Sequence, residues 1–135
     1  MNFLNRLQPL ALLVLRLALG TVMIAHGWQK IADHLHMITG LLQHLGIPGF
    51  MAYLVVAAEF GGGILVLIGF LTRLAALAIF IDMLVAILKV HLPHGLFGSN
   101  GGFEFPMACG AIAFALIFTG SGPIAIDWLW GSKGR

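Results

Sequence analysis

Charge is scarce in this chain. Lys and Arg total 7 and Asp and Glu total 5, together 9% of 135 residues, where ordinary soluble domains carry about 25%. The formal net charge is +2 and no run of Lys or Arg occurs, which removes the electrostatic footprint of a nucleic-acid binder. Cysteine is scarcer still. Cys109 stands alone, so there is no internal disulfide and no CxxC pair for thiol redox chemistry; Cys109 reads as a small packing residue. What fills the chain is apolar: 60% of residues are hydrophobic and the mean hydropathy is +1.02. A soluble chain this short cannot hide so much apolar surface. The composition predicts one integral membrane domain over residues 1–135.

A bilayer crossing takes about 20 mostly apolar residues. Four stretches meet the requirement, at about 10–32, 50–70, 73–91 and 105–119. They predict an all-α membrane four-helix bundle with short loops. The first stretch follows MNFLNRLQPL and ends in no small-x-small cleavage site, so it reads as a retained span and not as a signal peptide. Spans 2 and 3 are joined by a tight turn at Leu71–Thr72 and must be antiparallel neighbours. Residues 33–49 and LPHGLFGSNGG read as loops, and 120–135 as a tail whose Trp128 and Trp130 suit a membrane interface. Arg6, Arg73, Lys133 and Arg135 lie on one side, Lys30 and Lys89 on the other. The positive-inside rule then predicts a multi-pass protein of the inner (cytoplasmic) membrane with both termini and the tail cytoplasmic.

Ionisable residues inside spans are costly and usually face the bundle interior or a watery cavity. At 1.5 Å per residue, with Leu10 and Arg73 at the cytoplasmic boundary, Arg16 falls at ~9 Å, Asp82 at ~14 Å and Glu59 at ~16 Å of a ~30 Å core. His26 and Lys89 fall at ~24 Å, His91 at ~27 Å, Lys30 and Glu104 at ~30 Å. The inner group, Arg16, Glu59 and Asp82, reads as a buried ion pair or cluster fixing helix register. The outer group, His26, Lys30, Lys89, His91 and Glu104, reads as a polar basin; with Glu59 and Asp82 it supplies the candidates for a ligand or proton site. Asp82 and His91, nine apart, point to opposite faces of an ideal helix, so His91 can join only if the helix ends or bends near Leu92–Pro93.

The glycines of AAEFGGGILVLIGF have two readings. Gly61, Gly62 and Gly63 can let a neighbouring helix approach closely, or leave room for a flat cofactor. The pairs His34-x-His36 and His91-x-x-His94, with His44, have spacings a metal tolerates, but they read as exposed loop histidines and no metal site is assigned. Haem is disfavoured, since His26 and His91 are the only candidates within spans.

With these residues in view, the chain resembles the DoxX family of small four-span bacterial membrane proteins. The stretches that carry the resemblance are RLALGTVMIAHGWQKI, AEFGGGILVLIGFLTRLAAL, IFIDMLVAILKVHLPHGLF, GGFEFP and TGSGPIAID. Positions matching the family are Arg16, His26, Gly27, Lys30, Glu59, Gly62, Arg73, Asp82, His91, Gly102 and Glu104. The resemblance implies membrane redox processes: quinone or catechol stress in some relatives, a likeness to a subunit of thiosulfate:quinone oxidoreductase in others, and in one a membrane oxidoreductase complex with superoxide dismutase and a sulfurtransferase. It carries over no catalytic residue set.

Three functions fit these residues. A quinone-linked oxidoreductase, or an accessory subunit of one, would hydrogen-bond a quinone through His or Lys and move its protons through a carboxylate; its electrons would come from a partner protein or bound cofactor. A non-catalytic membrane adaptor would use the buried charges only to lock the bundle. A small proton-coupled transporter would string them along a path, as a homo-oligomer because four spans are few.

Overall fold

The computed structural model describes residues 1–131, apart from the side chains of Asp33 and His34. The expected charges Lys133 and Arg135, and His34 as a ligand, lie outside the described residues. All regular structure among the described residues is helical. Three helical stretches are long and apolar enough to cross a membrane: Gln8–Ala32, Met51–Ile68 and Thr72–His94. A fourth apolar helix, Glu104–Thr119, has 16 residues and reaches only ~24 Å.

A short α1 (Asn2–Arg6) precedes α2 (Gln8–Gln29). Pro9 sits in the first turn of α2, where its missing N–H costs nothing. A π-turn at Lys30–His34 leads into α3 (Leu35–His44). The second span is α4 (Met51–Val56), a π-turn at Ala57–Gly61, and α5 (Gly62–Ile68). The third is α6 (Thr72–Ala86), a π-turn at Ile87–His91 and a 3-10 turn at Leu92–His94. Then come α7 (Glu104–Thr119) and α8 (Ile126–Gly131). The segment 33–49, expected as a loop, is largely helix. Its apolar residues Leu35, Ile38, Leu42 and Leu45 recur at helical spacing, a period that marks an amphipathic helix.

The core is Leu19 and Met23 of α2, Val66 of α5, Ile79 and Met83 of α6, and Ala113 and Leu116 of α7. Leu74, Ile81, Leu88, Phe114 and Phe118 point outward, which lipid accepts as readily as a protein core does. Small residues set the α2–α5 distance. A Cβ on Gly20 would meet the Gly63 carbonyl oxygen at 2.9 Å, and one on Gly63 the Ile24 amide nitrogen at 2.9 Å. Gly62 abuts Ile79 of α6, with 3.3 Å between its notional Cβ and Ile79 Cγ1. Gly61 differs from its neighbours: a Cβ there meets nothing within 4 Å. The packing role expected of all three glycines therefore belongs to Gly62 and Gly63, while Gly61 leaves open space.

The end of the bundle toward which both termini run is held by side chains gripping helix ends. Arg16 donates to Val66 O at 2.9 Å, Leu67 O at 2.9 Å, Ser121 O at 3.1 Å and Ile124 O at 2.6 Å. It thereby adds donors to carbonyls at the C-terminus of α5, where a helix end leaves them short of partners. Gly69 must be glycine beside it: its φ is +74°, and a Cβ would sit 2.6 Å from Arg16 Nη2. Arg73 does the same for α7, donating to Ile117 O and Phe118 O. The opening of α6 has no side-chain cap of its own. Asp127 supplies one from α8, accepting from Leu71 N at 2.7 Å and Thr72 N at 2.9 Å, with the same sense as an N-cap carboxylate on a helix dipole.

Candidate functional site

At the other end of the bundle, the three π-turns open onto one cavity. Each π-turn adds a residue to the helical repeat and turns side chains out of their α register. Lys30 comes from the first, Glu59 from the second, and Lys89, Val90 and His91 from the third. The cavity has a volume of ≈ 320 Å³, at the small end of ligand sites, which run from about 300 to 1,000 Å³. Its walls include Met23, Val55, Met83 and Phe105, and α3 covers it with Ile38, Leu41 and Leu42, joined by Leu45 just after the helix. Apolar surface thus surrounds a few charged groups.

His26, Lys30, Glu59, Asp82, Lys89 and His91 all line this cavity. Lys30 Nζ is ion-paired with Glu59 Oε2. The Glu59 side chain is 5% exposed and that of Lys30 22%. Asp82 lies within electrostatic reach of both Glu59 and Lys30, and its Oδ2 is buried with no hydrogen-bond partner among the described residues. The His26 ring stacks on Phe105, centroids 5.0 Å apart. His91 holds the Gly101 carbonyl through Nδ1 at 2.8 Å. A carbonyl only accepts, so Nδ1 carries the hydrogen and Nε2 is the acceptor of the neutral ring. The π-turn Ile87–His91 is what brings His91 to the same cavity as Asp82; the change in the helix begins before Pro93, where the ring would leave a carbonyl without its donor.

Two expected placements differ. Arg16 pairs with neither Glu59 nor Asp82: its described hydrogen bonds go to the four carbonyls at the terminal end. The reason is an offset. Gly20 of α2 packs on Gly63 and Leu67, so Arg16, one turn earlier in α2, lies ~6 Å nearer the terminal end, and α2 begins well below the ends of α5 and α6. With that shift Lys30 and His26 come down to the depth of Glu59 and Asp82, and the inner and outer acids and bases form one layer without Arg16. Glu104 is the second. It does not line the cavity; it is exposed and accepts from Gly98 N at 2.8 Å, closing the Gly98–Asn100 turn. Among the described residues, no three His, Cys, Asp or Glu side chains gather as for a metal ion. His94 Nδ1 lies 3.2 Å from Val90 O, in its own turn.

The residues missed from sequence are the apolar cover of α3 and Asp127. The helical spacing within 33–49 carried a signal for the first. The lack of any capping side chain before TRLAAL carried one for the second.

A cleft of ≈ 890 Å³ also opens at the terminal end, lined by Arg73, Thr119, Asp127 and Trp128 among others. Its charged groups already hold helix ends, so it lacks the convergent free polar groups of a ligand site.

Comparison with known proteins places this geometry in a family. The family model of DoxX matches residues 11–92. The chain is 32% identical to the Bacillus subtilis protein named "Putative oxidoreductase CatD" over 126 residues, 91% of this chain and 89% of that protein. It is 41% identical to the Escherichia coli "Inner membrane protein YqjF" over 76 residues, spanning 54% of this chain and about half, 55%, of that relative. A Haemophilus influenzae protein is 30% identical over 135 residues, 94% of this chain and 96% of its own. No solved structure matches the chain significantly.

Proposed function

The chain belongs to the DoxX family of membrane proteins, and from that premise we propose that it binds a quinone-like molecule in the cavity beneath α3 and serves a membrane redox process there. The observation that carries this reading is the ion pair of half-buried Lys30 with buried Glu59, Asp82 at its side, set in an apolar pocket of ring-sized dimensions. A quinone is flat and apolar, with two carbonyl oxygens that need donors. Lys30 and the His26 ring are donors or proton carriers at the cavity surface. Two carboxylates, Glu59 and Asp82, face the Lys30 ammonium, with Lys89 also on the cavity wall, and this pair of acids is where the site can take up or release a proton. Reduction of a quinone takes two electrons and two protons; the residues here bear on the protons, and the electrons come from a partner protein or a bound carrier. The relative that bears the name "Putative oxidoreductase CatD" supports a redox setting. The membrane orientation belongs to the same proposal: both termini cytoplasmic, the cavity toward the outer face of the inner membrane.

Three readouts on purified protein in liposomes separate the functions. Saturable binding of a soluble benzoquinone, lost in Glu59→Gln and His26→Ala, supports the quinone reading. No binding, no pigment and no flux, with a co-purifying protein, supports an adaptor instead. Proton flux that disappears in Asp82→Asn supports a transporter. A Soret band in the optical spectrum would bring haem back as the cofactor.

A further inference from the structure

The polar cavity has a neighbour. Between the second and third spans, on the lipid-facing side, lies a groove of ≈ 550 Å³ with an almost wholly apolar lining. Leu54, Leu65, Leu74 and Ile81 form its sides. Gly61 opens into it, with no atom within 4 Å of a notional Cβ. Groove and cavity share a wall, since Leu42, Ile47, Val55, Asp82 and Val85 line both. Asp82 thus stands at the junction, its Oδ2 buried and without a hydrogen-bond partner among the described residues.

We infer that the ligand of the cavity is an amphiphile, with a ring-sized polar head against Lys30, Glu59 and Asp82 and an apolar chain lying in this groove, and that it reaches the site sideways from the bilayer. The inference rests on the quinone-like reading of the cavity and specifies which quinones the site takes. Two features carry it. α3 and the residue after it cover the cavity at the loop end with four apolar side chains, and the groove offers a second way in, open to lipid. A plain acyl chain filling the groove would leave the Asp82 carboxyl against hydrocarbon, which is costly; a chain ending in a carbonyl-bearing ring puts a hydrogen-bonding group there. The chain itself adds little affinity, because lipid is as apolar as the groove. The groove selects by shape and supplies the path.

The test uses the full chain in lipid nanodiscs with two probes. One is a decyl benzoquinone carrying a diazirine at the chain end, read by photolabelling. The other is the tail-less dimethoxy-methyl-benzoquinone, read by equilibrium dialysis against empty nanodiscs. The chain label should fall on residues 54–65 and 74–81. Gly61→Phe should cut that labelling about tenfold or more by overfilling the groove, with tail-less binding unchanged. Ala78→Phe, exposed on the facing helix, should do the same and guards against a folding defect in one variant. Labelling elsewhere, unchanged labelling in both variants, or parallel loss of tail-less binding overturns the inference and leaves the cavity reading standing or in need of its own test. Groove labelling by a photoactivatable phosphatidylcholine that excess decyl compound does not reduce also overturns it, because bilayer lipid then fills the groove. Failure of the tail-less probe to bind wild type removes the cavity reading and this inference with it.

Discussion

Glu59 is the residue on which the site turns, and its burial sets the terms. Breaking a buried ion pair by removing one partner leaves an uncompensated charge and costs about 3–5 kcal/mol, whereas replacing both partners by apolar groups is often neutral. Lys30→Met and Glu59→Leu should each lower the melting temperature in detergent, and the double variant should recover most of the loss. Additive losses would show that the two side chains do not depend on each other. Arg16 plays another part. Its guanidinium reaches four carbonyls from the ends of two segments, a fan that a lysine ammonium cannot reproduce. Arg16→Lys should cost about 1–3 kcal/mol in unfolding by denaturant, because buried carbonyls lose their donor, while benzoquinone binding by the folded fraction stays at the wild-type level. The cavity residues were legible in the sequence because charge inside a span is rare. Arg16 was misplaced because span edges were set by hydropathy, which cannot show that one helix begins lower than its neighbours.

At the scale of elements, the π-turns decide which side chains meet. Ala57–Gly61 carries Glu59, and Ile87–His91 carries Lys89 and His91. Deleting Ala58 should return the second span to a regular α repeat and swing Met51–Ala57 by about 100° against the rest of the helix. Helical content by circular dichroism should be kept and benzoquinone binding lost; retained binding would show that the π-turn does not position the site. The glycine triplet gives a sharper contrast. Gly63→Ala drives a methyl into the backbone of α2 at 2.9 Å from Ile24 N and should destabilise by about 1–3 kcal/mol. Gly61→Ala meets nothing and should stabilise by about 0.5–1 kcal/mol through the better helix former. Equal effects on melting temperature would contradict the packing described for this helix. The period of the glycines could not tell these two positions apart, because which face meets α2 and which meets the groove depends on the π-turn just before them. The helix within 33–49 was legible in principle from its apolar spacing, but its His and Gly content masked it.

For the whole molecule, the division between its two ends is the main result. The terminal end is fixed by Arg16, Arg73 and Asp127, all gripping backbone. The other end gathers titratable groups around a cavity. A base fixed by backbone contacts and a polar cavity at the opposite end give the bundle an orientation that can be measured. In a Cys109→Ala background, an impermeant maleimide should label Ser99→Cys in intact cells and Asn2→Cys only after the membrane is opened. The reverse pattern would place the cavity toward the cytoplasm. The all-helical membrane character was plain from composition, since few folds suit a chain so apolar; the arrangement of depth was not, because it follows from contacts between helices that no single span encodes. The most direct test of the central claim, that the buried Lys30–Glu59 pair serves a ligand and not only the fold, is the affinity of the tail-less benzoquinone for the Lys30→Met, Glu59→Leu double variant in nanodiscs. The structure predicts a folded protein of near wild-type melting temperature whose affinity has fallen about tenfold or more; wild-type affinity in that variant would contradict it.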